Sequence, residues 1–309
     1  MKKLFLLLSF LAMTFAGCAQ KTPETINFIV ASDMGRHGES EQKNIAEIMA
    51  RFVEQNNTEF LAVAGDPIHD NGVQSTDDEE WTLKIENVYT STSLHAIPWY
   101  VVSGNHEYNG SVQAILDYSN VSKRWNAPAR YFTKERAIGT TGQKALFVFI
   151  DTSPLIDKYR NSEKYSDAGE QDMERQLYWL DSVLMVSNNH WKIVVGHHPV
   201  YATTNKDESE RTDMQQRVGE ILENRKADVY ICGHIHNFQH IKPEGSKVHY
   251  VVNSAASNSR PIHEPNFRGL AFANADPGFM SCTVGEKTLN FSFTNHRNEQ
   301  VYSYTIEKP

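Results

Sequence analysis

Apolar positions in this chain fall into short continuous runs separated by amphipathic stretches. Ile26–Ser32, Phe60–Ala64 and Trp99–Ser103 are runs of the length of buried strands. Between the first two, Glu41–Asn56 places Ile45, Ile48, Met49, Phe52 and Val53 on one helical face, and Glu79–Tyr89 reads as helical before the third. This is the β-α-β-α-β rhythm of an α/β fold. Further on, Ala145–Ile150 predicts a buried strand. Gln171–Val186 predicts a helix with Met173, Leu177, Leu180 and Leu184 on one face. Trp191–Val195 reads as a strand, Met214–Leu222 as a helix and Val229–Cys232 as a strand. Beyond residue 245 only strands are expected, at Val248–Asn253, Phe279–Val284, Thr288–Thr294 and Val301–Ile306, the last two alternating as one-sided strands do. Without a linker, repeat or low-complexity segment, residues 26–309 read as one domain of two packed sheets with helices outside.

The first residues break this pattern. Lys2-Lys3 precedes an apolar run from Leu4 to Ala16, too short to span a bilayer and suited to an export signal. It ends in Phe15-Ala16-Gly17-Cys18, which resembles the bacterial lipoprotein box, with Phe15 where Leu is usual. Residues 1–18 are therefore expected to be a signal with a lipobox, Cys18 the lipidated residue and 19–25 a tether. That implies a periplasmic or outer-membrane or cell-surface lipoprotein held to the membrane by its lipid. Plain secretion with cleavage near Ala19 is the alternative. Cys232 and Cys282 lie in apolar runs, so a disulfide and two buried free thiols are both open.

A length of 309 residues with 40 % apolar content allows a sizeable core, and a net charge of -8 argues against a general nucleic-acid binder. An acidic protein that handles phosphate esters needs local positive charge, which metal ions supply.

Five of the strand-like runs deliver Asp, Asn or His at their carboxyl ends, the edge where open α/β sheets bind ligands. They lead into Asp33, Asp66, Asn105-His106-Glu107, His197-His198 and His234-Ile235-His236. Two carboxylates, an amide and three imidazoles form an oxygen and nitrogen donor set suited to iron, zinc or manganese. If His234-Ile235-His236 stays extended, both rings point to one face and address neighbouring metals.

These blocks resemble the calcineurin-like metallophosphoesterases, and among them the purple, or tartrate-resistant, acid phosphatases. The resemblance extends to Ile97–Glu107, to Gly72-Val73-Gln74 and to Tyr118–Asn126, whose Ser122-Lys123-Arg124-Trp125-Asn126 run carries no metal donor and is a family signal of the small mammalian-type enzymes. It covers residues 26–306 and implies a four-layer αββα sandwich with two mixed sheets face to face.

By that resemblance Asp66 bridges two metals. Asp33 and His236 bind the first, usually iron, and Asn105, His197 and His234 bind the second, which is zinc, manganese or iron. His106 faces the substrate phosphate as a catalytic residue. His198, where the mammalian-type enzymes have Tyr, lines the pocket and helps bind phosphate. Purple acid phosphatases carry an iron-binding Tyr three residues after the bridging Asp; here that position is His69, which keeps a donor but removes the phenolate colour. Arg36 with His37 and, more weakly, Asn258 are candidates to contact substrate. Glu107 is expected either to hold the His106 tautomer or to be solvated. Asp151 is expected to hydrogen-bond rather than ligate, Asp77–Glu80 to open a helix in solvent, and His240, His249 and His263 to be surface or internally satisfied.

The expected reaction is attack of a metal-bound hydroxide on the phosphorus of a phosphate monoester, with no phosphoenzyme, the substrate being a small phosphate ester or a phosphoprotein. A phosphodiesterase or nucleotide hydrolase on the same site, and a surface lipoprotein that binds metal without turnover, are the alternatives. Specificity is expected in the segments Lys134–Gly142, Asp157–Asp167 and Ser259–Arg268.

Overall fold

The structure is a computed structural model and describes residues 24–308; the expected signal, the Cys18 lipid site and most of the tether lie outside the described residues. Two seven-stranded sheets form its middle layers. The first contains β1 (Ile26–Ala31), β2 (Phe60–Ala64), β3 (Trp99–Val102), β4 (Trp125–Asn126), β12 (Gly278–Val284), β13 (Thr288–Asn295) and β14 (Gln300–Glu307), in the order β14-β13-β12-β1-β2-β3-β4. The second contains β5 (Phe132–Ile138), β6 (Gln143–Phe149), β7 (Trp191–Val195), β8 (Val229–Cys232), β9 (Phe238–Ile241), β10 (His249–Val252) and β11 (Leu270–Asn274), in the order β11-β9-β10-β8-β7-β6-β5. β1 to β4 are parallel, as are β6, β7, β8 and β10, while β12–β14 and β5, β9 and β11 add antiparallel flanks.

The period-two alternation of each strand divides its side chains between two cores. On β1, Phe28 and Val30 join the layer between the sheets, whereas Ile29 and Ala31 pack on the helical side. Between the sheets the Phe28 ring stacks on Phe60 at 4.8 Å and meets Phe147 of the second sheet edge-on at 5.3 Å. Replacing a ring so enclosed by Ala costs about 3–5 kcal/mol. The Gln42–Gln55 helix buries Ile45, Ile48, Met49 and Val53 against the first sheet. The Met173–Val186 helix is capped by Asp172, which accepts from the Arg175 amide at 2.9 Å, and buries Leu180 and Leu184 against the second. The result is the four-layer sandwich that the resemblance implies.

Several expectations are corrected. Phe132–Ile138 is an edge strand, paired antiparallel to β6 with Ile138 opposite Gln143, so the turn that follows lies at the end of β6 away from Asp151. The turn 139–142 is therefore remote from the parallel-strand carboxyl ends, whereas Lys134, opposite Phe147, lies nearer to them. The Met214–Leu222 helix starts earlier, at Glu208, and passes through a π-helical turn at Gln215–Gly219 into Glu220–Asn224. Phe238–Ile241 and Leu270–Asn274 are strands that the pattern did not indicate. Cys232 and Cys282 are buried free thiols. Among the described residues no helix is long and apolar enough to cross a membrane.

The Ser122–Asn126 run supports β3 from below. Arg124 stacks on the Trp99 ring at 4.4 Å and donates to the Tyr89 carbonyl and to Glu86, while the Trp125 indole donates to the Ile115 carbonyl. Asp78 caps the Glu79–Trp81 turn and accepts from the Glu80 amide, as the acidic run implied.

Candidate metal centre

β1, β2 and β3 of one sheet and β7 and β8 of the other all release their chains at one edge. The residues that follow are Asp33, Asp66, Asn105, His197 and His234, so one cleft collects them from both sheets. The turns are tight. Asp33, Asp66, His234 and His236 have φ of 52°, 49°, 71° and 61°, a left-handed conformation that costs side-chain-bearing residues energy and is concentrated at functional sites. Two glycines make the approach possible: a Cβ on Gly65 would strike the His197 ring, and one on Gly104 the Asp66 carboxylate.

The backbone at His234-Ile235-His236 is a left-handed turn rather than an extended strand. Both rings reach the cleft through that turn, not through the strand pleat expected from the sequence.

Two sets of donors meet at Asp66. In the first, His236 Nε2 lies 3.1 Å from Asp33 Oδ1, and His69 Nε2 lies 3.9 Å from the same oxygen and 3.8 Å from Asp66 Oδ2. In the second, His197 Nε2 lies 3.0 Å from Asp66 Oδ2 and 3.2 Å from His234 Nδ1. Asn105 belongs to the turn after β3, next to Gly104, whose Cα adjoins Asp66. Donor atoms of Asp33, His69 and His236, and those of Asp33, Asp66 and His197, each converge within 4.8 Å.

Hydrogen bonds turn the free nitrogens inward. His197 Nδ1 donates to the Ala64 carbonyl at 2.9 Å, which leaves Nε2 as the lone pair. His236 Nδ1 donates to Asn258 Oδ1 at 3.0 Å, which leaves its Nε2 toward Asp33. Asn258, expected to touch substrate, accepts from this ring and helps fix it.

Buried polar atoms without partners test the fit to cations. Asp33 Oδ1, Asn105 Oδ1 and both nitrogens of His69 have no hydrogen-bond partner. Such groups cost about 1–3 kcal/mol each unless something else satisfies them. Asp33 Oδ1 and His69 Nε2 face each other beside the two buried carboxylates, an arrangement that fits metal ions. Burial works to raise Asp33 and Asp66, yet the surrounding histidines outweigh it and hold both well below the ordinary carboxylate range. Burial pushes His69 well down, so its imidazole is neutral and available as a donor.

His106 is 26 % exposed, the open ring beside otherwise buried donors; its Nε2 is 3.9 Å from Asp66 Oδ2 and its amide donates to Asp66 Oδ1. Its Nδ1 bonds the Asp70 carbonyl, so Glu107 does not hold the tautomer. Glu107 is buried and accepts the amides of Asp66, Ile68 and Gly104 at 3.1, 3.1 and 2.7 Å, tying the bridging turn to the Asn105 turn. Burial and the Asp66 charge push its carboxyl up to about 8.

His198 is buried, as are His197 and His234, and offers a ring nitrogen within 4.8 Å of donor nitrogens of both, with its Nε2 free of any hydrogen-bond partner. Its Nδ1 bonds Thr152 Oγ1, and its ring packs 4.4 Å from that of His234. Arg36 lies beside His69 and Asp70 at the mouth, while His37 bonds Glu80 at the surface. Asp151 accepts from Tyr108 Oη, the structural role expected of it.

Two residues went unnoticed in the sequence. Lys206 places Nζ 3.0 and 3.2 Å from the two ring nitrogens of His234, and burial together with Arg260 pushes it down to about 8. Glu210 is buried with Oε2 2.9 Å from His234 Nε2. A lysine soon after the His197 block is a weak signal; Glu210 in a charged stretch gives none. A cleft of about 710 Å³ along β5 and β6 holds none of these donors.

A model of the calcineurin-like phosphoesterase family matches residues 26–238. Purple acid phosphatase 4 of Arabidopsis thaliana is 31 % identical over 295 residues, 92 % of this chain and 84 % of that one. Human tartrate-resistant acid phosphatase type 5 is 29 % identical over 259 residues, covering 81 % and 78 % of the two chains. In fold, the chain is similar to GAP50, the anchor in the inner membrane complex of Plasmodium, with a TM-score of 0.79 at 19 % identity over 92 % of this chain and 89 % of that one.

Proposed function

Since the chain belongs to the calcineurin-like phosphoesterase family and is a hydrolase with a dinuclear metal centre, we propose that its substrates are phosphate monoesters. The observation that carries this reading is Asp66, whose one carboxylate faces donors on both sides, His69 and His197. Oxygen and imidazole donors support iron, zinc or manganese. When bound, a pair of such ions lowers the pKa of water and stabilises both the attacking and the leaving oxygen of an in-line displacement.

The protein's own groups supply the rest. Buried backbone turns hold the donors rigidly, so little reorganisation is needed during reaction. His106, open to solvent beside Asp66, is positioned to hydrogen-bond a phosphate oxygen or to protonate a leaving alcohol. The Lys206 ammonium adds positive charge on the His234 side and favours a dianionic monoester over a monoanionic diester. The test is kcat/KM for p-nitrophenyl phosphate against bis(p-nitrophenyl) phosphate. Preference for the monoester is expected, and a clear preference for the diester would overturn the proposal.

A further inference from the structure

Glu210 lies on the Glu208–Met214 helix, far in sequence from any cleft donor, yet its carboxylate is buried. Oε1 accepts from Lys158 Nζ at 2.6 Å and from Tyr159 Oη at 3.0 Å, and Oε2 faces His234 Nε2 at 2.9 Å. An ionised carboxylate only accepts, so the Nε2 of His234 must carry the proton. The Lys206 ammonium, 3.0 Å from Nε2 and 3.2 Å from Nδ1, is nearly equidistant and does not choose between them. Glu210 does. The lone pair is then on Nδ1, which lies 3.2 Å from His197 Nε2. The main-chain amide of His234 is held as well, donating to Asp33 Oδ2 at 2.9 Å.

We propose that Glu210 is a positioning residue for the second metal: it fixes the His234 tautomer and turns the Nδ1 lone pair toward the ion shared with Asp66, Asn105 and His197. The inference rests on the two-metal reading of the cleft. A carboxylate behind a ligating imidazole orients the ring and raises its basicity, and losing it typically weakens metal affinity by 10–100-fold. Lys158 and Tyr159 hold the carboxylate in turn. In Glu210→Gln, placing the amide carbonyl toward His234 sets the NH2 against the Lys158 ammonium. The opposite placement sets the NH2 against His234 and drives the proton to Nδ1.

The experiment titrates Zn2+ into chelator-stripped protein against a chromophoric competitor, for the wild type, Glu210→Gln and Lys158→Met, and reads the histidine tautomers of the stripped proteins by 15N NMR. Wild type should take two equivalents. Glu210→Gln should lose about 10–100-fold at one site only, with a His234 resonance moved toward the Nδ1–H form. Lys158→Met removes one of the two groups that hold the carboxylate but keeps the His234 contact, and should weaken the same site by less than Glu210→Gln while leaving the other unchanged. Glu210→Gln with two wild-type affinities, or with both sites weakened equally, would overturn the proposal alone. A wild type that takes fewer than two equivalents would overturn the two-metal reading and this proposal with it.

Discussion

His69 points its Nε2 at Asp66, 3.8 Å from Oδ2, and is buried with neither ring nitrogen hydrogen-bonded. A neutral imidazole thus occupies the position where the purple enzymes resembled by this chain have an iron-binding phenolate. Iron-loaded, aerobically prepared protein is expected to lack a strong visible tyrosinate band, and His69→Tyr is expected to gain one. Absorption spectra of the two proteins at matched iron content check this; a purple wild type would mean that another tyrosine reaches the iron.

Glu107 bonds three amides from two turns through both of its oxygens, and a side-chain amide, with one oxygen and one NH2, cannot accept from all three. Glu107→Gln places an NH2 against at least one buried N–H. A loss of about 1–3 kcal/mol per unsatisfied amide is expected, with kcat falling because Asp66 and Asn105 shift together. Denaturant unfolding and steady-state kinetics on the same variant measure both effects. Unchanged stability would show that the carboxylate does not clamp the turns.

Lys206 brings an ammonium to the His234 side of the cleft. A charge-assisted bond to phosphate is worth about 1.5–3 kcal/mol, so Lys206→Met should raise KM for a monoester and Ki for inorganic phosphate by roughly 10–100-fold. Equal Ki values in variant and wild type would remove Lys206 from anion binding.

Away from the cleft, His240 Nε2 and His249 Nδ1 lie 2.9 Å apart, in adjacent strands β9 and β10. Burial, aided by Lys242, pushes His240 down to about 4 and His249 down to about 3, from an ordinary value of 6.5. Both are neutral in the fold and protonate more readily once unfolded. Their contribution to stability is present above pH 6.5 and is lost as pH falls toward 4 and then 3, by on the order of 3–5 kcal/mol per group. Melting curves from pH 7 to 4 should show a steep loss in the wild type and a shallower one in His249→Gln. Parallel curves would contradict the linkage.

Much of the fold was legible because β1, β2, β3, β7 and β8 are buried on both faces and so read as apolar runs, each ending in a donor. β5 escaped notice because its Thr133-Lys134-Glu135-Arg136 centre is half-exposed at an edge. β9 escaped because Gln239 and His240 are polar residues buried by partners the pattern does not show: Gln239 by the distant Thr203, His240 by His249 on the neighbouring strand and the distant Tyr302. The donors were legible by block, but the roles of their supports were not. Glu107, Asn258 and Glu210 look like ordinary polar residues until the fold sets a backbone amide or an imidazole against each. His198, read as a pocket residue from its place beside His197, packs its ring 4.4 Å from that of His234 and joins the same donor cluster.

The donors on either side of Asp66 form one catalytic centre for two ions. Stepwise metal addition to chelator-stripped protein, with bound metal and p-nitrophenyl phosphate hydrolysis measured on the same samples, tests it most directly. Hydrolysis should be absent without metal, reach its plateau only when two ions per chain are bound, and fail at every loading in Asp66→Asn. A plateau at one ion, full activity after stripping, or a doubly loaded protein that hydrolyses no phosphate monoester would contradict it.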